Sequence, residues 1–172
     1  MSSRLNRATP GFLLLIAMPA LPCTCVSAKG SNARTEMADV SEVFRGTVVA
    51  RKALPQRFEM RGRARYAITF RVDEFWKGPV GRSVVIHAVE AGTDCLGDGA
   101  YEVGKNYLVY ANEVDVRDVS LEGEFWYGWT DVLPKGSKML TPQTVCTRGG
   151  ETTSVRKAIR ELGKARIPAK TD

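Results

Sequence analysis

The sequence has 172 residues, of which 44% are hydrophobic and 26% are charged, and its formal net charge is +6. These proportions are typical of a single globular domain and exclude collagen-like, low-complexity and disordered chains. No apolar stretch reaches about 18 residues, so we expect no transmembrane span. The single histidine, His87, excludes sites that need a pair of histidine ligands. The moderate basic charge lacks the dense stripe of a nucleic-acid-binding protein, so we expect no nucleic-acid partner.

Residues 1–22 are predicted to be a secretory signal peptide. Arg4 and Arg7 form a basic start, and the apolar run at residues 11–21 follows it. The run is too short to span a bilayer, and the prolines around it would break a buried helix. We therefore expect an exported protein, either secreted or periplasmic.

The cleavage site stays open on these grounds. A cut after Ala17 or Ala20 leaves both early cysteines in the mature chain, whereas a cut after Ala28 removes them. Pro22 is a poor residue to cut after. We place the remaining boundaries at residues 23–164 for the folded domain and residues 165–172 for a basic tail.

The even number of cysteines indicates two disulfides in an exported chain: Cys23, Cys25, Cys95 and Cys146. Cys23 and Cys25 are poorly placed to bond each other, because one residue separates them. Two arrangements remain, and both attach the N-terminal segment to distant parts of the chain. Paired C-x2-C knuckles are lacking, which disfavours a structural zinc site. We expect no cofactor.

The first predicted strand follows a possible helical turn at the start of residues 38–50. Its inward face is predicted to carry Phe44, Gly46, Val48 and Ala50. A glycine inside a strand also predicts a bend or a bulge at Gly46.

A basic loop at residues 54–65, predicted to be exposed, precedes the clearest strand of the chain, residues 65–73. On one face of that strand, apolar residues alternate with polar neighbours: Tyr66, Ile68, Phe70 and Val72. The turn residues from Phe75 to Pro79 are predicted to end it.

Three further short strands are predicted at residues 84–89, 107–111 and 141–147. His87 lies in the first of them, where a half-buried side chain is expected rather than a catalytic base. Residues 122–133 are predicted to form a hairpin with a solvent-exposed aromatic end.

The last element is predicted to be a helix, because apolar residues recur at helical spacing: Val155, Ala158, Ile159 and Leu162. Thr152 or Thr153 is expected to cap its start, Gly163 to end it, and the basic tail to be loose. Five to six short strands and one closing helix predict a mostly β, small closed β-barrel rather than a doubly wound sheet.

Three of these segments resemble the tissue inhibitors of metalloproteinases. Cys23-Thr24-Cys25 is similar to that family's N-terminus. Residues 39–48 resemble its first strand, and residues 66–78 resemble its second strand and the Lys-Gly turn that follows.

The resemblance continues in the same order to the end of the domain. Cys95 is similar to the cysteine that follows the family's next strand, and residues 107–111 and 144–146 complete the match. The resemblance implies an exported, OB-like barrel of the netrin-module kind. The chain is similar to the short, single-domain versions found in bacteria.

The same resemblance implies the disulfides Cys23–Cys95 and Cys25–Cys146 and an inhibitory ridge at Cys23, Thr24 and Cys25. The α-amino group and carbonyl oxygen of Cys23 would chelate the catalytic zinc of a partner metallopeptidase, which requires Cys23 to be the first residue. Thr24 would fill that enzyme's specificity pocket.

The expected function is therefore that of an exported metallopeptidase-inhibitor-like protein, not of an enzyme. The alternative is an exported protein- or glycan-binding OB-fold module without inhibitory activity, which could use exposed aromatic side chains around Trp126 and Trp129. The oligomeric state stays open.

Replacing Cys95→Ser tests the cysteine pairing. We expect the free energy of unfolding to fall by about 2–5 kcal/mol, because the bridge closes a long loop. Non-reducing peptide mapping of the exported protein should find Cys23–Cys95 and Cys25–Cys146. Free thiols at all four positions, or a Cys95–Cys146 bridge, would contradict the prediction.

Overall fold

The computed structural model describes residues 32–55, 64–79, 81–89, 101–116, 129–143 and 149–169. Strands make up 50% of this part of the chain. In chain order the elements are α1 (Ala33–Ala38), β1 (Glu42–Leu54), β2 (Arg65–Lys77), β3 (Ser83–Val89), β4 (Asn106–Asp115), β5 (Lys138–Pro142), β6 (Gly150–Glu151) and α2 (Arg156–Leu162).

Five of the strands form a closed barrel. They follow the order β1-β2-β3-β5-β4, and pairing between β1 and β4 closes the sheet. The β3–β5 contact is parallel, the other pairings are antiparallel, and β6 adds to β4 as a sixth strand. The prediction of a small closed barrel of five to six strands with a C-terminal helix is confirmed.

The inward face of β1 is confirmed at Phe44, Gly46 and Val48, which are buried, and is wrong at Ala50, which is exposed. The pairing register with β2 shifts between Arg45 and Gly46, as the predicted irregularity requires. The register also shifts between Val43 and Phe44, and again between Val48 and Ala50, where Val49 is an extra residue on β1. This extra residue reverses the alternation of faces, so Ala50 no longer follows the pattern.

The alternation predicted for β2 is confirmed. Ile68, Phe70 and Val72 are buried, and Tyr66 packs against the same cluster while partly exposed. Phe70 lies in the barrel interior, where its ring packs edge-on against the ring of Phe44 with 5.4 Å between the two centroids. The strand runs further than predicted and ends before Gly78, where φ is +91°.

The predicted face of α2 is confirmed, because Ala158 and Leu162 are buried. Gly163 ends the helix with φ +78°. The prediction that Thr152 or Thr153 caps the helix is wrong, because Val155 occupies the N-cap position and makes no side-chain capping bond. Thr152 Oγ1 instead donates to Asn106 Oδ1 at 2.6 Å.

The start of the basic tail is not loose. The backbones of Phe75 and Arg166 exchange two hydrogen bonds of 2.8 Å, and the guanidinium of Arg166 lies over the ring of Phe75. Arg82 Nε donates to the carbonyl of Ala169 at 3.0 Å. The chain beyond α2 is thereby attached to β2 and to the residue before β3.

The predicted hairpin at residues 122–133 and the strand at residues 141–147 fall partly outside the described residues. Where the structure describes them, residues 129–133 form a turn, and β5 ends at Pro142. Across the described ranges, neither helix has the length and apolar character needed to cross a membrane.

The substitution Gly46→Ala should destabilise the barrel. A Cβ at this position would lie 2.7 Å from the carbonyl oxygen of Arg71 and 3.2 Å from Cα of Val72, and both are backbone atoms of a paired strand. We expect urea unfolding to show a loss of about 1–3 kcal/mol.

The matched control is Gly81→Ala, where the added Cβ would meet only the carbonyl oxygen of Ser83 at 3.7 Å. It should change the stability little. Equal effects of the two substitutions would show that the close approach at Gly46 is unimportant.

Candidate functional site

The predicted ridge and the predicted disulfides all fall outside the described residues: Cys23, Thr24, Cys25, Cys95 and Cys146. The described residues show how the segment that follows the ridge is attached to the barrel. We name α1, together with Asn32 before it and Lys77, Tyr110 and Glu161 that hold it, the N-terminal anchor.

The start of α1 is fixed by a capping box. Asn32 Oδ1 accepts the backbone N–H groups of Arg34 and Thr35 at 2.9 and 3.1 Å. Thr35 Oγ1 in return accepts the N–H of Asn32 at 2.8 Å. A six-residue helix is unstable alone, so these bonds and its packing against the barrel maintain it.

The first turn of α1 is fastened to α2 and β4. Glu161 Oε2 accepts the N–H of Ala33 at 3.0 Å, and the carbonyl of Glu161 accepts Nε of Arg34 at 2.8 Å. The hydroxyl of Tyr110 lies 3.4 Å from the carbonyl oxygen of Ala33. Ala33 is fully buried in a cluster that also contains Leu162.

The last turn of α1 is fastened to the end of β2. Lys77 Nζ donates to the carbonyls of Met37 and Ala38 at 2.9 and 2.8 Å. An ammonium group is favourable there, because the unpaired carbonyls at a helix C-terminus carry partial negative charge. Both ends of the helix are thus held, so Asn32, the first described residue, has a fixed position on the barrel.

Glu42 lies beside this anchor as a buried carboxylate. Its residue is 9% exposed, and Oε2 has no hydrogen-bond partner in the described part of the chain. Burial, and secondly the negative charge of Glu113, raises the pKa of Glu42 above its ordinary value of 4.5. A Cβ on Gly78 would lie 2.6 Å from Cγ of Glu42, so the glycine of the Lys-Gly turn leaves room for this side chain.

A second cluster covers the outer face of the barrel at the end of β3. Trp129 is 4% exposed and packs with Val89 and Met139. The prediction that Trp129 belongs to an exposed aromatic face is therefore wrong, because this side chain closes an apolar patch on the barrel wall. Phe125, Trp126 and Tyr127 of the same prediction lie outside the described residues.

Arg65 fastens this second cluster. The predicted loop at residues 54–65 placed it at an exposed position, but its side chain is fully buried. The guanidinium makes two bonds to the carboxylate of Asp131, of 3.0 and 2.5 Å, and Nε donates to the carbonyl of Pro55 at 2.9 Å. It also lies 5.1 Å from the ring centroid of Trp129. One planar side chain thus joins the ends of β1 and β2 to the turn at residues 129–133.

His87 borders the same cluster. Its ring packs edge-on against that of Trp129, with 5.4 Å between the two centroids. Burial lowers the pKa of His87 below the ordinary value of 6.5. Nδ1 has no hydrogen-bond partner among the residues that the structure describes. The expected half-buried position of His87 is observed.

Two aromatic side chains near the end of β2 are half-buried and contribute to packing. Trp76 packs with the cluster under α1 and α2, and its Nε1 donates to the carbonyl of Gly163 at 2.9 Å. Phe75 packs against the barrel interior and holds the tail. Within the described ranges, no three His, Cys, Asp or Glu side chains lie close enough together to hold a metal ion.

No protein-family model matches the chain, and a search of curated proteins finds no sequence that matches it. The resemblance to the metalloproteinase inhibitors therefore depends only on the residues quoted for it.

The substitution Glu42→Gln should stabilise the fold near neutral pH and lose this effect in acid. Above the raised pKa of Glu42 the carboxylate is ionised in the folded and unfolded states, so the full cost of burying the charge applies. Below the ordinary value of 4.5 it is neutral in both states, and the cost disappears. We expect the free energy of unfolding to rise by about 1 kcal/mol at neutral pH.

Urea unfolding followed by circular dichroism across this pH range measures the difference. Glu102→Gln is the matched control, because its side chain is 58% exposed and it should change stability little at any pH. A loss of stability in Glu42→Gln at neutral pH would mean that the ionised carboxylate has a stabilising partner.

Proposed function

We propose that the chain is an exported protein that docks on a zinc metallopeptidase through Cys23, Thr24 and Cys25. The observation that carries the proposal is the N-terminal anchor on an OB-like barrel. A chelating ridge must be held in one position to bind without a large ordering cost. The anchor supplies a fixed base from which such a ridge can extend.

Covalent distances support the Cys25–Cys146 bridge within this proposal. Cys25 lies seven residues before Asn32, and Cys146 lies three residues after Gln143. Gln143 N–H donates to the carbonyl of Tyr110 at 2.7 Å, and the hydroxyl of Tyr110 in turn approaches the carbonyl of Ala33. Ala33 and Gln143, which lie close to the starts of the two cysteine-bearing segments, thus both contact Tyr110 of β4. At about 3.5 Å per residue, both cysteines can reach a common position.

The proposed chemistry is coordination without catalysis. A catalytic zinc keeps one position open for water or substrate, and a neutral amine with its neighbouring carbonyl can occupy that position. These groups belong to Cys23, and Thr24 follows directly into the specificity pocket. The zinc belongs to the partner, and the chain requires no cofactor of its own.

The mature N-terminus decides whether this coordination is available, and intact-mass measurement of the exported protein establishes it. The inhibition test then compares a form that begins at Cys23 with a form that begins at Leu21, against a panel of zinc peptidases. We expect only the first to inhibit, because an amide nitrogen has no lone pair to offer a metal.

Thr24→Gly in the Cys23 form should weaken inhibition by about tenfold or more, since it empties the pocket and leaves the chelating groups in place. Circular dichroism and disulfide mapping confirm that all forms share one fold. Equal inhibition by the Cys23 and Leu21 forms would refute chelation. Inhibition by neither form would favour the alternative, an exported protein- or glycan-binding module without inhibitory activity.

A further inference from the structure

Among the described residues, the first half of β1 pairs with two strands, whereas its second half pairs with one. β1 pairs with β4 over residues 42–47, and from Val43 onward it also pairs with β2 on its other side. Val48 makes the last contacts on the β4 side, through backbone bonds of 3.0 and 2.8 Å to Lys105 and Gly104. From Val49 onward only β2 pairs with β1 among the described residues. We name residues 49–54 the free edge of β1.

The free edge presents backbone groups in a regular pattern. From Ala50 to Leu54 every residue has an opposite partner on β2 without a further register shift. In an antiparallel pair, alternate residues direct their N–H and C=O groups away from the partner strand. The free edge thus presents a short row of such groups, the usual template for adding another strand.

Both ends of the free edge are fixed. Val48 is held by its bonds to the segment before β4. At the other end, the guanidinium of Arg65 holds the carbonyl of Pro55, and Leu54 packs into the cluster of Trp129. A strand that is already extended loses little conformational freedom when a partner pairs with it.

The charges on the free edge select the kind of partner. Arg51 and Lys52 are exposed, and neither forms an ion pair within the described residues. Arg51 instead lies over the ring of Tyr66, 3.6 Å from its centroid. If two copies of this chain paired antiparallel through this edge, these cations would face each other across the new ladder, which is unfavourable. Acidic side chains on the added strand would remove that conflict.

We propose that the free edge of β1 is a docking surface that binds an extended, acidic segment of a partner protein by β-strand addition. Main-chain hydrogen bonds to the outward-facing groups supply the pairing, and carboxylates on the face of the added strand that lies beside Lys52 supply the selectivity. The free edge contains none of the residues of the proposed ridge, so the proposal does not depend on the proposed inhibition.

The test uses the full chain labelled with ¹⁵N and, as probe, a capped hexapeptide of alternating valine and glutamate at physiological salt. Binding should shift the amide resonances of residues 49–54. It should also slow hydrogen exchange at alternate amides between Ala50 and Leu54. A matched hexapeptide of alternating valine and lysine should bind more weakly by about tenfold.

Lys52→Glu should weaken binding of the acidic peptide by about tenfold, because it places like charges across the ladder. Arg71→Glu is the matched control, since it reverses an exposed charge on β2, which has strands on both sides. This control should leave binding within about twofold of the unchanged protein.

Several outcomes would overturn the proposal. Binding without slowed exchange, or binding weakened equally by Lys52→Glu and Arg71→Glu, would indicate general charge attraction. Equal protection by the lysine peptide would refute the acidic partner. Protection that rises with protein concentration in the absence of peptide would identify a second copy as the occupant. No shifts at millimolar peptide would show that the edge does not accept a strand.

Discussion

Closure of the barrel through β1 is the constraint on which the other features depend. One strand must pair with β2 along its length and with β4 over its first residues, while its inward side chains fill the same interior. A strand that closes a small barrel has to bend strongly. The bend is accommodated at Gly46, where the backbone of β2 comes too close for any side chain. At the register shift between Val48 and Ala50, β1 leaves β4, and its far end has a single partner strand among the described residues.

In the part of the chain that the structure describes, the outer wall of the barrel is covered at two places, each with an apolar patch and polar bonds that hold the covering segment. At one place α1 and α2 cover Val43 and Leu108, and Glu161 holds α1 in position. At the other, Trp129 covers Val89, and Arg65 holds the covering turn. Burial of apolar surface supplies the driving force at both places, and the directional bonds determine where each covering segment sits.

Sequence periodicity predicted the elements whose burial is regular along the chain. The alternation in β2 and the helical spacing in α2 have a local physical cause. Both elements could therefore be predicted from their own residues, without knowledge of the fold. The inward face of β1 was predicted correctly as far as the register shift between Val48 and Ala50, because one added residue there exchanges the two faces. The threonine cap failed because Thr152 bonds to Asn106 on β4 instead of to the helix.

Arg65 illustrates what local patterns cannot reveal. Alternation assigned it to the polar, outward side of β2, and that side is where it lies. Its burial comes from a turn 66 residues later in the chain, and no nearby sequence signal indicates that Trp129 and Asp131 return to this strand. The buried carboxylate of Glu42 escaped prediction for a similar reason, since its surroundings come from β4 and the Gly78 turn. The ridge at Cys23 stays a prediction.

The contact between α1 and α2 also has a consequence for the order of events during synthesis. Ala33 and Glu161 are separated by 128 positions, so the first helix leaves the ribosome long before the group that holds it exists. Contacts between such distant residues carry a large loop-closure cost and form slowly. During its synthesis the nascent chain therefore lacks the hydrogen bonds between α1 and Glu161. A chain in that state has not yet joined its first helix to its last.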